Sequence, residues 1–79
     1  MRNLTNDYVE QEIIYTISLM QQNKENIPIL ENIQIENLAE RFVFQWKEVG
    51  DYEADFDRTL LEFLRDEFIY NKINYTFNG

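Results

Sequence analysis

The chain contains no cysteine and no histidine. The first absence excludes disulfides and thiolate metal sites, and the second removes the commonest side-chain ligand for transition metals. Together they also take away the usual nucleophile and general base of covalent catalysis. Glycine occurs twice, at Gly50 and Gly79, and proline once, at Pro28. No glycine-rich loop is therefore present to cradle a phosphate. Ser18 lies in the middle of a helical pattern with no glycine turn to expose it. The adjacent pair Asp66 and Glu67 would point to different sides of a helix. A bundle this small also offers little room for a ligand pocket of roughly 300 Å³. These shortages predict a non-enzymatic protein with no cofactor and no metal.

Basic residues are scarce as well: 7 Lys and Arg stand against 15 Asp and Glu, for a net charge of −8. Such a surface repels nucleic-acid phosphates and anionic membranes and is drawn to basic protein surfaces. The same charge keeps a small domain in solution. No apolar run approaches the ~18 residues of a membrane span. The polar opening MRNLTNDYVEQ has none of the features of a secretion signal, so a cytoplasmic location is expected. Nine Asn and nine Ile fit an A/T-rich coding sequence, as in a low-GC bacterium or a mobile element.

What is present is apolar and aromatic: 44% and 15% of residues respectively, too much for a disordered chain. Seventy-nine residues make one domain near the lower limit for an independent core. Residues 54–72 organise it. On a helical wheel Phe56, Leu60, Leu61, Phe63, Leu64, Phe68 and Tyr70 cover close to half the circumference, which predicts a helix packed on two sides. Asp57 and Glu67 fall inside that arc, so each either marks its edge or is partly buried and paired, with Arg41, Lys47 or Arg58 as candidate partners.

The first helix is expected over residues 6–23, capped by Thr5 or Asn6, with Val9, Ile13, Ile17 and Met20 facing the core. Tyr8, Tyr15 and Leu19 form a second stripe roughly opposite. Residues 27–35, IPILENIQI, read best as a loop with a short helical turn begun by Pro28, with a short strand at 33–35 as the alternative. The second helix is expected over 35–49, closed by Gly50, with Ile35, Leu38, Ala39, Phe42, Trp46 and Val49 in one stripe. Phe44 sits on the opposite side, among charges. It is either covered by a loop or the tail, or exposed for a partner. The short link at 50–53 makes this helix and the next an antiparallel pair. The tail alternates Ile73, Tyr75 and Phe77 with polar residues, a strand period that needs an edge to pair with. The expected fold is mainly all-α: a small three-helix bundle with a Pro-containing linker and a strand-like C-terminal tail.

Two surface features bear on function. Glu48, Asp51, Glu53, Asp55 and Asp57 place five carboxylates within ten residues. From Asp51, acidic residues occupy positions 1, 3, 5, 7 and 12 of an EF-hand-like loop. However, Phe56 stands where the turn requires glycine, and Phe56 and Leu60 belong to the apolar arc of a helix. The run is better read as a helix start. As a patch, its spacing imitates a nucleic-acid backbone, which carries one charge about every 1.7 Å of duplex axis. The second feature is the set of apolar residues outside the core stripes: Tyr8, Tyr15, Leu19 and Phe44. The expected function is therefore binding of another protein. The chain would act as an inhibitor or nucleic-acid mimic that occupies a basic site, of the phage or mobile-element anti-defence type. The alternative is an antitoxin- or immunity-like helical module that self-associates, as a dimer for example, through Tyr8, Tyr15, Leu19 and Phe44.

Overall fold

The computed structural model describes residues 4–49 and 55–77, without the side chains of 47–49. Three helices, α1 (Asn6–Gln22), α2 (Asn32–Val49) and α3 (Phe56–Tyr70), form a small bundle. A two-residue strand β1 (Pro28–Ile29) lies between α1 and α2. After α3 come a single 3-10 turn (Lys72–Asn74) and a second strand, β2 (Thr76–Phe77).

Local chemistry explains most of the boundaries. The Thr5 side chain accepts the Tyr8 N–H at 3.1 Å and starts α1. Asp55 accepts the Arg58 N–H and starts α3, satisfying one of the free donors of the first turn. At the end of α1, Glu25 N–H reaches Met20 O at 3.0 Å and Lys24 N–H reaches Gln21 O at 2.9 Å. This is the paired closure of a Schellman motif, with Lys24 in the left-handed conformation at φ 61°.

The region before α2 departs from expectation. Residues 33–35 are neither loop nor strand; they lie in the first turn of α2, which begins three residues earlier than its core stripe suggests. The cause is a cap. Gln34 Oε1 accepts the Glu31 N–H at 2.8 Å, while Glu31 O accepts the N–H groups of Gln34 and Ile35. Such a side chain reaching back from the third helical position is one half of a capping box. The strand of this region is Pro28–Ile29 instead, and it gives the tail its edge. β1 and β2 run antiparallel, with Pro28 opposite Phe77 and Ile29 opposite Thr76. The expected closure of α2 at Gly50 and the link at 50–53 lie outside the described residues.

The core contains Val9, Ile13 and Met20 of α1, Leu38, Ala39, Phe42 and Trp46 of α2, and Phe56, Leu60, Leu64 and Phe68 of α3. Ile17, Ile35, Leu61 and Phe63 pack on its margin. Val43 is buried as well, although the stripe did not include it. Val49 lies among the residues whose side chains are not described. The backbones of α1 and α2 approach over the longest stretch. α2 and α3 meet through rings: Phe42 packs edge-on against Phe56 and Phe63, and Trp46 against Phe56, with centroids 5.3–5.6 Å apart. Trp46 lies by Phe56 and Arg41 by Glu67, so the two helices run antiparallel. α3 buries one broad face only: Tyr70, placed in the stripe by sequence, is 79% exposed. The indole N–H of Trp46 is buried with no acceptor among the described residues.

Candidate functional site

A groove of about 870 Å³ runs between α2, the end of α3 and the tail. It is open to solvent, which is how so small a bundle accommodates it. Its α2 bank carries Asn37, Arg41, Phe44 and Gln45, and its far bank Asn71, Asn74 and Tyr75. A shallower continuation, sharing Gln45, Glu67 and Asn71, extends past Phe63 to Asp66 and Tyr70.

The floor is built around Glu67. It lies at the centre of the apolar arc of α3, so forming that helix carries a carboxylate inward, to 9% exposure. Three donors meet it there. Arg41 Nη2 lies 2.8 Å from Oε2, Tyr75 Oη donates to the same oxygen at 2.6 Å, and Asn71 Nδ2 donates to Oε1 at 3.1 Å. Burial alone would push the Glu67 carboxyl up. The hydrogen bonds from Arg41, Tyr75 and Asn71, with the Arg41 charge, outweigh it and hold the group below its ordinary value. Burial, and the hydrogen bond to the charged Glu67, push the Tyr75 phenol well up, so it stays a donor. Arg41 is also 5.9 Å from the centroid of the Phe63 ring and remains 49% exposed. The floor is thus a satisfied ionic anchor that ties α2, α3 and the tail together, lined above by carboxamides.

The residues expected to carry function are dispersed. Glu48 (for its side chain), Asp51 and Glu53 lie outside the described residues. Asp55 is exposed and spends one oxygen on the helix cap, and Asp57 is exposed in the first turn of α3. Phe56 and Leu60 are buried within α3, and residues 56–62 are helical rather than looped. On α1, Tyr8 packs its ring 5.8 Å from Phe56 and donates to Glu12 at 3.2 Å, so much of it serves the chain itself. Tyr15 and Leu19 are exposed. The Ser18 hydroxyl donates to the Ile14 carbonyl at 3.2 Å. Phe44 is covered by neither loop nor tail: it is 65% exposed at the lip of the groove.

No protein-family model, no curated protein and no solved structure matches the chain. The reading of the site rests on its own geometry.

Sequence inspection did flag Glu67 and named Arg41 among its partners. It missed Asn71, Asn74 and Tyr75 as co-lining groups. Tyr75 reaches Glu67 where β2 pairs with β1 and the 3-10 turn folds the tail back; the strand period of the tail is legible in the sequence, but its pairing edge and the turn are not. Among the described residues, no group of His, Cys, Asp or Glu is arranged to hold a metal ion. No helix among them is long and apolar enough to cross a membrane.

Proposed function

We propose that the chain is a small acidic protein that acts by binding another protein and carries out no chemistry of its own. It is an inhibitor or antagonist, of the kind mobile elements and phages deploy against host defences. It occupies a basic, nucleic-acid-binding site on a cytoplasmic partner. The observation that supports this most directly is Phe44, 65% exposed on the charged side of α2. Glu40 stands one turn before it, and Asp66 lines the continuation of the same groove. Neither carboxylate is in an ion pair among the described residues. An exposed ring among unpaired carboxylates complements a basic surface with an apolar recess. The ring supplies contact area and slow dissociation, and the charge supplies fast, steered association. A self-associating module of the antitoxin or immunity type is a second reading, favoured by the exposure of Tyr15 and Leu19.

Affinity capture from a lysate of a low-GC bacterium, washed at low and high salt, would supply the partner for kinetic measurements. Replacing Asp51, Glu53, Asp55 and Asp57, or Glu40 and Asp66, by their amides is expected to slow association by ~10-fold or more at low salt. Phe44→Ala is expected to cost about 2 kcal/mol through faster dissociation. Unchanged association rates in the amide variants would remove the basic-site reading. Unchanged dissociation in Phe44→Ala would remove the groove from it.

A further inference from the structure

The groove above Glu67 is rich in one kind of side chain. Five carboxamides line it: Gln34, Asn37 and Gln45 of α2, Asn71 at the end of α3, and Asn74 of the 3-10 turn. Each carries an acceptor oxygen and two donor hydrogens. Much of that capacity is unused within the chain. Gln34 commits its oxygen to the Glu31 N–H, and Asn71 its amide nitrogen to Glu67. Asn37, Gln45 and Asn74 are exposed, and their side chains make no hydrogen bond among the described residues. Of the described residues, Arg41 is the only cation lining the groove or its continuation, and Glu67 already neutralises it at 2.8 Å. Glu62 faces Arg58. The charges left over are those of Glu40, in the groove, and Asp66, in its continuation.

We infer that this groove holds an extended, lysine- or arginine-bearing segment of a partner protein by its main chain, an inference that builds on the reading above that the chain binds a basic protein. Backbone state selects the segment. A helix satisfies its own N–H and C=O groups and would leave the carboxamides only side chains to pair with. An extended segment outside a sheet keeps its main-chain groups free, and a carboxamide matches them as both donor and acceptor. Charge then selects the sequence. Glu40 and Asp66 attract a cation in each part of the groove, and an acidic segment would be repelled. Phe44, exposed one turn from Glu40, adds a ring beside which the stem of a lysine or arginine can pack while its charge stays near the carboxylate. A neutral glycan would also suit carboxamides and a ring, but it is not drawn by the negative charge.

Titrating the whole nitrogen-15-labelled chain with a capped hexapeptide of alternating lysine and threonine tests this. The peptide is about 20 Å long when extended, within the shortest extent of the molecule, 21 Å. The side-chain amide signals of Asn37, Gln45 and Asn74 are expected to shift saturably, with a Kd of about 1 mM or below. Gln45→Ala and Asn74→Ala, both at exposed positions, should each weaken binding ~5-fold while leaving the far-ultraviolet circular dichroism unchanged. If one of them fails to fold, the other decides. Methylating the main-chain nitrogens of the peptide keeps its charge but removes its donors, and should weaken binding ~10-fold or more. Replacing its lysines by glutamate should abolish binding. No saturable shift of these amides up to about 10 mM peptide overturns the inference. So does equal binding of the methylated or the glutamate peptide, or undiminished binding by both alanine variants. Saturable binding of chitotetraose at the same amides, in place of the peptide, overturns it in favour of a glycan. The basic-site reading is decided separately, by association rates with the captured partner. A partner steered by charge, whose dissociation ignores Gln45→Ala and Asn74→Ala, would keep that reading and remove this one.

Discussion

Glu67 shows how one residue can be forced inward by the helix that carries it. Its neighbours in the arc, Leu60, Leu64 and Phe68, are buried, and it goes with them whatever its own solvation costs. Arg41, Tyr75 and Asn71 make that position tolerable, and Arg41 keeps access to water. Glu67→Gln retains the shape and an acceptor for Tyr75 but removes the charge that Arg41 faces. Because Arg41 remains 49% exposed, solvent recovers part of the loss, and the expected destabilisation at neutral pH is about 1–2 kcal/mol. The pH dependence follows from the direction of the shift. The Glu67 carboxyl is lowered from 4.5 in the folded chain. Its contribution is therefore complete above that value and is lost as pH falls below it towards the folded pKa. Urea denaturation of both proteins at neutral pH and at about pH 3 should show the gap between them closing in acid. A gap that stays constant would mean that the charge is not what stabilises this floor.

At the scale of elements, the ends of helices and the short strands decide the arrangement. α1 is closed by a Schellman turn whose left-handed position is filled by Lys24 rather than glycine. A side chain with a β-carbon is strained there. Lys24→Gly is expected to stabilise the fold by about 0.5–1 kcal/mol, the relief being partly offset by losing a cation near the helix C-terminus. Thermal unfolding followed by circular dichroism should record an increase of roughly 2–8 °C. A decrease would show that the lysine contributes more than the strain removes. The turn then places Glu25 for its two contacts with Arg65 of α3, forty residues away in sequence. Hydrogen bonding and charge from Arg65 hold the Glu25 carboxyl below its ordinary value despite some burial. The next two residues, Asn26 and Ile27, lead into β1, the edge on which the tail pairs.

For the whole molecule, the excess of carboxylates is a force against compactness. Only three ion pairs join described residues, and one of them, Arg58–Glu62, is an exposed pair within α3, of the kind that contributes little. Screening should therefore relieve more repulsion than it removes attraction. The melting temperature is expected to rise as salt increases from ~0.02 to ~0.3 M, measured at a protein concentration where the chain is monomeric. A falling melting temperature would give the ion pairs the larger share.

The helical bundle was legible in the sequence because periodicity acts locally. Val9 and Ile13, Leu38 and Phe42, and Leu60 and Leu64 recur at helical spacing, and that spacing is enough to define a face to be buried. The cap at Thr5 was legible for the same reason, since a cap involves residues three apart. What the tertiary structure alone decided were contacts between residues distant in the chain. These are the pairing of Pro28–Ile29 with Thr76–Phe77, the arrival of Tyr75 at Glu67, and the exposure of Phe44 at a groove the tail borders without covering. The early start of α2 is different: its cap, Gln34 turning back to Glu31, is as local as the others, and the reading of 27–35 as a loop passed over it. Periodicity specifies which side of an element avoids water. Which element comes to cover it depends on chain closure and packing over the whole molecule, and no single stretch of the sequence encodes that.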